Sequence, residues 1–159
     1  MASYLVTGGA GFIGSHVVEA LVARGERVRV VDNLSTGRSE NLGHIDGVDL
    51  VIGDLADPVV ANGAVCGIDY VVHLAALPSV QGSIEDPFAW NHANVTATLS
   101  LLVAAQRCAV KRLVFASSSS VYGNAATLPA SEDMLPDPIS PYALQKLTGE
   151  RYLRLFYDL

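Results

Sequence analysis

Cysteine is scarce in this chain: Cys66 and Cys108 are the only two among 159 residues. They stand far apart without a CxxC partner, which excludes a disulfide framework and leads to the expectation of reduced core thiols. Positive charge is also in short supply, with 10 Lys and Arg against 16 Asp and Glu and a formal net charge of -6. That balance excludes a nucleic-acid face, which needs clustered Lys and Arg to meet phosphates. Trp90 and the 6 tyrosines show no base-stacking pattern interleaved with positive charge. Apolar residues make up 50% of the chain, yet no run approaches the length of a bilayer span. The start, Met1 leading into Tyr4-Leu5-Val6 and then glycine, is too short for a signal-peptide core. His16, His44 and His92 lack metal-ligand spacing, and His73, inside an apolar run, reads as a hydrogen-bonded core residue. These absences lead to the expectation of a soluble, cytoplasmic protein with one core, no metal, and neither nucleic-acid nor membrane partners.

What is present is alternation. Short β-branched apolar runs, Ser3 to Thr7, Arg27 to Asp32, Asp49 to Ile52, Asp69 to Leu74 and Arg112 to Ser117, are separated by helical stretches. That order predicts an α/β fold, a doubly wound parallel sheet with helices on both faces. Asp86-Pro87 reads as an N-cap followed by proline at the first helical position, and the apolar residues after it predict one long helix to about Val110. Ser140-Pro141 starts a second helix in the same manner. The stretch from Ala125 to Ile139 reads as a surface loop.

Three constellations carry chemistry. After the first strand, Thr7-Gly8-Gly9-Ala10-Gly11-Phe12-Ile13-Gly14 satisfies GxxGxxG and also GxGxxG. Glycines there allow a tight turn and let backbone N–H groups at a helix N-terminus approach a pyrophosphate. The same pattern also serves a plain strand-to-helix turn. Asp32 ends the second strand, where a carboxylate accepts hydrogen bonds from the adenosine ribose and repels a 2′-phosphate, favouring NAD over NADP. Strand-end Asp is also a common turn residue, and Arg29 and Arg38 leave a phosphate-reading arginine open. Tyr142 and Lys146, four apart, share one helix face. A free phenol is a poor base at neutral pH, and a neighbouring ammonium favours its phenolate; the pair would equally suit a solvated helix face. The serine run from Ser117 to Ser120 offers a hydroxyl to share a proton with the phenol, or a polar exit from the strand.

Taken together, the strings TGGAGFIGSHVVEAL, VVDNLSTG, GDLAD, VVHLAAL, NVTATLSLL, FASSSSVYG and SPYALQKLTGE resemble the extended short-chain dehydrogenase/reductases, within them the NAD-dependent epimerase/dehydratase family and its UDP-hexose 4-epimerases. The resemblance implies a Rossmann fold over residues 1–159 as an NAD-binding domain. Gly8, Gly11, Phe12, Ile13 and Gly14 are assigned to the pyrophosphate turn. Asp32, Asn33, Ser35, Thr36 and Gly37 fall around the adenosine, Asp54 and Leu55 beside the adenine. Leu74, Ala75 and Ala76 lead toward the nicotinamide, with Asn94 nearby. Ser118, Tyr142 and Lys146 are the implied catalytic set, Tyr142 and Lys146 also touching cofactor. Ser79, Ser118, Ser119 and Tyr142 face the sugar. Dehydratases of this family place Asp-Glu after the catalytic hydroxyl, and UDP-glucuronate decarboxylases a glutamate; Ser119 and Ser120 stand here instead, which favours epimerisation at C4 of a UDP-hexose through a 4-keto intermediate. A reductase acting on a small carbonyl shares the Ser, Tyr and Lys set. Family chains continue for about as long again beyond Leu159, with most of the nucleotide-sugar pocket, so this chain is expected to bind NAD and to epimerise poorly alone. A homodimer through the 86–110 and 140–159 helices is also implied, with Leu101, Leu102, Leu147 and Leu155 as contacts.

Overall fold

The computed structural model describes residues 1–125 and 129–159; the predicted loop at 125–139 lies partly outside the described residues. Five strands, β1 (Ser3–Thr7), β2 (Arg27–Asp32), β3 (Asp49–Ile52), β4 (Tyr70–His73) and β5 (Arg112–Phe115), form one sheet in the order β3-β2-β1-β4-β5. Every adjacent pair is parallel, with Leu5 beside Arg29 on one flank and beside Val71 on the other. Chain progression therefore reverses at β1. In such sheets the crevice at the reversal, beyond the carboxyl ends of the strands, is where ligands bind.

Alternating side chains on β1 to β4 feed two cores. Leu5, Val31 and Val71 pack with α2 (Pro58–Val65) and α5 (Ala97–Arg107), where Ala61, Ala64, Ala97 and Ala104 permit close approach. Val6, Val28 and Val30 turn to the other face and meet Val18 of α1 (Phe12–Ala23). Burial on both faces is why these strands read as nearly continuous apolar runs. Helices α3 (Val80–Glu85), α4 (Pro87–Asn91) and α6 (Pro141–Asp158) gather at the carboxyl ends of β4 and β5, and α3 packs on both α4 and α6.

Several expectations need correction. The single helix expected over 86–110 is α4, a π-helical turn over His92–Thr96, and α5. The wider turn coincides with Asn94, whose buried carboxamide is bound outside its own helix, to the Leu77 backbone and to Gln145. Helix α5 stops at Arg107 because Ala109 turns left-handed (φ 55°), so that Val110 N–H donates to Ala105 and Ala109 N–H to Gln106. Two strands are shorter than expected: β4 omits Asp69 and Leu74, and β5 ends at Phe115. Helix α3 has no counterpart in the expectations; its start is set by Ser79, whose Oγ accepts from Gly82 N–H at 2.9 Å.

Leu101 and Leu102 are buried within the chain, so neither is available to a second copy. The cysteines are not core thiols. Cys66 is exposed, Cys108 is half-buried, and their Sγ atoms lie 3.4 Å apart. Sequence separation concealed this proximity because α2 and α5 pack side by side and lead into the neighbouring strands β4 and β5.

Candidate functional site

The β1–α1 turn builds one wall of a cleft. Gly8 adopts φ 66° and its N–H donates to Val31 O, which ties the turn to β2. A Cβ on Gly8 would meet Ala75 N at 2.8 Å, and one on Gly14 would meet Gly8 O at 2.2 Å. Only glycine lets the end of β4 and the first turn of α1 approach the loop this closely. Helix α1 begins without a side-chain cap and without an acidic residue in its first turn. Phe12 and Ile13 are 79% and 65% exposed, with their side chains away from the core. Uncapped N–H groups and the positive end of a 12-residue helix therefore lie at the cleft.

Asp32 is buried at the end of β2. Its Oδ2 accepts from Ala10 N–H at 3.0 Å and its Oδ1 from Leu34 N–H at 2.9 Å. These bonds fix the carboxylate at the cleft while leaving each oxygen a further lone pair. Gly37 folds over it: a Cβ there would meet Asp32 Oδ2 at 2.9 Å. Arg29 points away and is committed, donating to Asp49 at 2.6 Å and to the carbonyls of Gly63, Ala64 and Cys66. It is therefore withdrawn as a phosphate-reading group, and Arg38 does not line the cleft.

Behind the cleft runs a continuous chain of hydrogen bonds. Thr98 Oγ1 donates to Asn94 O at 2.6 Å, so it accepts from His73 Nε2–H at 3.0 Å. His73 Nδ1 then accepts from Thr7 Oγ1 at 2.6 Å, and Thr7 Oγ1 accepts from Leu74 and Ala75 N–H groups. Donor logic thus assigns His73 the Nε2–H tautomer. Burial, and then the Lys146 charge, pull His73 down to about 3, so it stays neutral. The expectation of a hydrogen-bonded core histidine agrees with this. Asn94 continues the chain: its Oδ1 accepts from Leu77 N–H at 2.8 Å, and its Nδ2 donates to Leu77 O and to Gln145 Oε1.

The opposite wall is the start of α6. Ser140 caps it by accepting from Ala143 N–H at 3.1 Å, and Pro141 occupies the first helical position. Tyr142 N–H donates to the buried Ser83 Oγ at 3.1 Å. One turn on, Lys146 Nζ donates to Ala116 O at 2.9 Å and lies 4.8 Å from the Phe115 ring centroid and 6.0 Å from that of Tyr142. Burial pulls the ammonium down to about 8. Both side chains are buried, at 8% and 5% exposure, so the solvated-face alternative fails.

These walls enclose a cleft of about 390 Å3. Of the residues anticipated for cofactor, all line it except Gly37 and Asn94, which act on Asp32 and on Leu77 from behind. Ser79, Ser118 and Ser119 are not on its surface: Ser79 serves as the α3 cap, and Ser119 lies exposed in a 3-10 turn. Ser118 Oγ accepts from Ser120 N–H and from Ser120 Oγ at 2.8 Å, so its own proton is uncommitted. Ser117, which does line the cleft, donates instead to Glu150. Sequence reasoning missed Val31, Gly53, Leu77, Pro78, Ala93, Ala97 and Ala116 as lining, and it chose Ser118 rather than Ser117 from the serine run. The first seven are apolar or glycine and contribute shape, for which a linear motif has no marker.

A reversed parallel sheet, a glycine turn feeding an uncapped helix, and a strand-end carboxylate define a dinucleotide-binding α/β protein. Comparison with known proteins narrows the class. The chain belongs to the NAD dependent epimerase/dehydratase family, whose profile matches residues 4–158. It is 42% identical to a UDP-glucose 4-epimerase of Mycolicibacterium smegmatis, over 98% of this chain and 51% of that protein. Among solved structures, a Methanobrevibacter ruminantium UDP-N-acetylglucosamine 4-epimerase, in complex with UDP-N-acetylmuramic acid, superposes with TM-score 0.93 and 41% identity, over 99% of this chain and 51% of that one. A Brucella ovis UDP-glucose 4-epimerase in complex with NAD gives TM-score 0.93 and 36% identity, over 99% and 48%. The chain thus spans about half the length of the relatives it matches.

Proposed function

We propose that residues 1–159 form one NAD-binding domain that carries the redox site of a UDP-hexose C4 epimerase. The observation that carries the reading is that a single cleft is lined both by Gly8, Gly14 and Asp32 and by Tyr142 and Lys146. The uncapped α1 N-terminus fits a pyrophosphate, and the Asp32 carboxylate fits ribose hydroxyls rather than a 2′-phosphate. On this reading Gly11, Phe12 and Ile13 hold the pyrophosphate, Asn33, Ser35 and Thr36 follow the adenosine, and Asp54 and Leu55 flank the adenine. Leu74, Ala75 and Ala76 guide the nicotinamide end. NAD, when bound, supplies a reversible hydride acceptor.

Tyr142 receives the proton of the sugar 4-hydroxyl. Lys146 Nζ stands 6.0 Å from the Tyr142 ring centroid, and its remaining protons are free for ribose hydroxyls after the bond to Ala116. Ser118, with its uncommitted proton, bridges the sugar oxygen to Tyr142 from outside the cleft lining, and any sugar contact of Ser119 or of the α3 cap Ser79 lies beyond that lining as well. A homodimer is part of the same proposal, through the 86–110 and 140–159 segments, and the exposed Leu144 and Leu155 of α6 support it. A cytoplasmic setting is likewise proposed; among the described residues no helix is long and apolar enough to cross a membrane.

Incubation with UDP-glucose, UDP-galactose and their N-acetyl forms is expected to give the C4 partner sugar. Tyr142→Phe should lower turnover about 100- to 10,000-fold, the usual range for a general base. Undiminished turnover in that variant would overturn the assignment. NAD binding by calorimetry without any product would instead identify a cofactor-holding unit.

A further inference from the structure

Two connections at the amino ends of β4 and β5, away from the cleft, run side by side. One links α2 to β4 and the other links α5 to β5. Lys111 N–H donates to Asp69 O, and Lys111 Nζ pairs with the Asp69 carboxylate at 2.8 Å. Three residues before each member of that ion pair stands a cysteine: Cys66 before Asp69, Cys108 before Lys111. Their sulfurs are 3.4 Å apart.

We propose that Cys66 and Cys108 are a modification site, an oxidisable dithiol that closes a reversible intrachain disulfide on exposure to a low-molecular-weight disulfide. Both residues are helix C-caps, outside the regular hydrogen-bonded interior of their helices. Each precedes a left-handed residue, Gly67 at φ 78° and Ala109 at φ 55°. A disulfide needs about 2.04 Å between sulfurs, so closure requires the thiols to approach by roughly 1.4 Å, a displacement that caps at the chain's edge can supply. The neighbouring backbone is held in place by Arg29, which donates to Cys66 O, and by the Asp69–Lys111 pair.

The order of events follows from exposure. Cys66 is the exposed thiol and attacks the small disulfide, forming a mixed disulfide and releasing one small thiolate. Burial and the adjacent Cys66 sulfur push the Cys108 thiol up, which casts it as the resolving partner. Its sulfur attacks Cys66 Sγ and expels the second small thiolate. The two thiol protons end on the two released thiols, and the oxidant's disulfide is reduced as the protein's forms. The product staples α2 to α5 across 42 positions without touching the cleft.

The test requires neither NAD nor sugar, so it stands apart from the epimerase reading. Treatment of the full chain with glutathione disulfide should remove both titratable thiols and lower the intact mass by two hydrogens, with the chain not cross-linked to another. The midpoint of thermal unfolding should rise on the order of 5–10 °C over the reduced form. Cys108→Ser should stop at the mixed disulfide on Cys66 and retain the glutathione mass. Glutathione retained on both cysteines of the unmodified chain, cross-linked dimers as the only oxidised product, or an unchanged unfolding midpoint would each overturn the proposal.

Discussion

At the scale of the residue, Asp32 serves two purposes that its position in the sequence could not separate. The bond from Leu34 N–H makes it a turn residue, and the bond from Ala10 N–H ties it to the glycine loop, yet its carboxylate still lines the cleft. Strand-end turn and ribose acceptor are therefore compatible roles. Replacement by Asn keeps the size and one carbonyl oxygen but removes the charge. Asp32→Asn is expected to weaken NAD about 10- to 100-fold, the worth of a hydrogen bond to a charged acceptor, and to narrow the preference over NADP. Paired calorimetric titrations with NAD and NADP check this, and equal losses for both cofactors would show that the charge does not discriminate. Arg29 illustrates the limit of linear reading. Its side chain was open to a phosphate role until the fold directed it to Asp49 and to the carbonyl end of α2.

At the scale of the element, ends were harder to read than centres. The strands stand out as apolar runs, and β1, β2 and β3 begin and end where the runs do. The cap-proline signal at Asp86-Pro87 recurs at Asp57-Pro58, where Asp57 caps α2 by accepting from Val59 N–H at 2.8 Å. The signal was read at residues 86–87 and 140–141 and left unread here. The π turn was not legible, because the side-chain bond that accompanies it, from Asn94 to Gln145, spans 51 positions. Two helix ends share one motif with different residues at its strained position. Helix α1 closes with Glu26 N–H to Leu21 O and Gly25 at φ 78°; α5 closes with Val110 N–H to Ala105 O and Ala109 at φ 55°. The left-handed region costs an alanine what it does not cost glycine. Ala109→Gly is accordingly expected to stabilise the chain by about 1 kcal/mol, read as a higher urea midpoint with unchanged slope. Gly25→Ala should shift it the other way.

At the scale of the whole molecule, helices α5 and α6 are joined to the sheet by groups whose titration makes stability depend on pH. His73 sits between Thr7 of β1 and Thr98 of α5, and Lys146 reaches from α6 to the end of β5. Both are basic groups whose folded values are depressed by burial, His73 from 6.5 to about 3 and Lys146 from 10.5 to about 8. Between its two values each group binds more protons in the unfolded chain than in the native one, so stability rises with pH across that window. For His73 the contribution is complete above 6.5 and is lost as pH falls toward 3; for Lys146 it is gained from 8 to 10.5. Within a window, a single such group changes stability by about 1.4 kcal/mol per pH unit at most. Urea unfolding of the native chain, His73→Gln and Lys146→Met at a series of pH values isolates the two effects by difference. His73→Gln should flatten the acid limb and leave the alkaline limb unchanged, because glutamine carries hydrogen-bonding groups of similar reach but no titrating ring. Lys146→Met should flatten the alkaline limb and, by removing the charge that helps depress His73, also narrow the acid window. An acid limb of undiminished slope in His73→Gln would mean that carboxylates such as Asp69, held low by Lys111, govern acid unfolding instead.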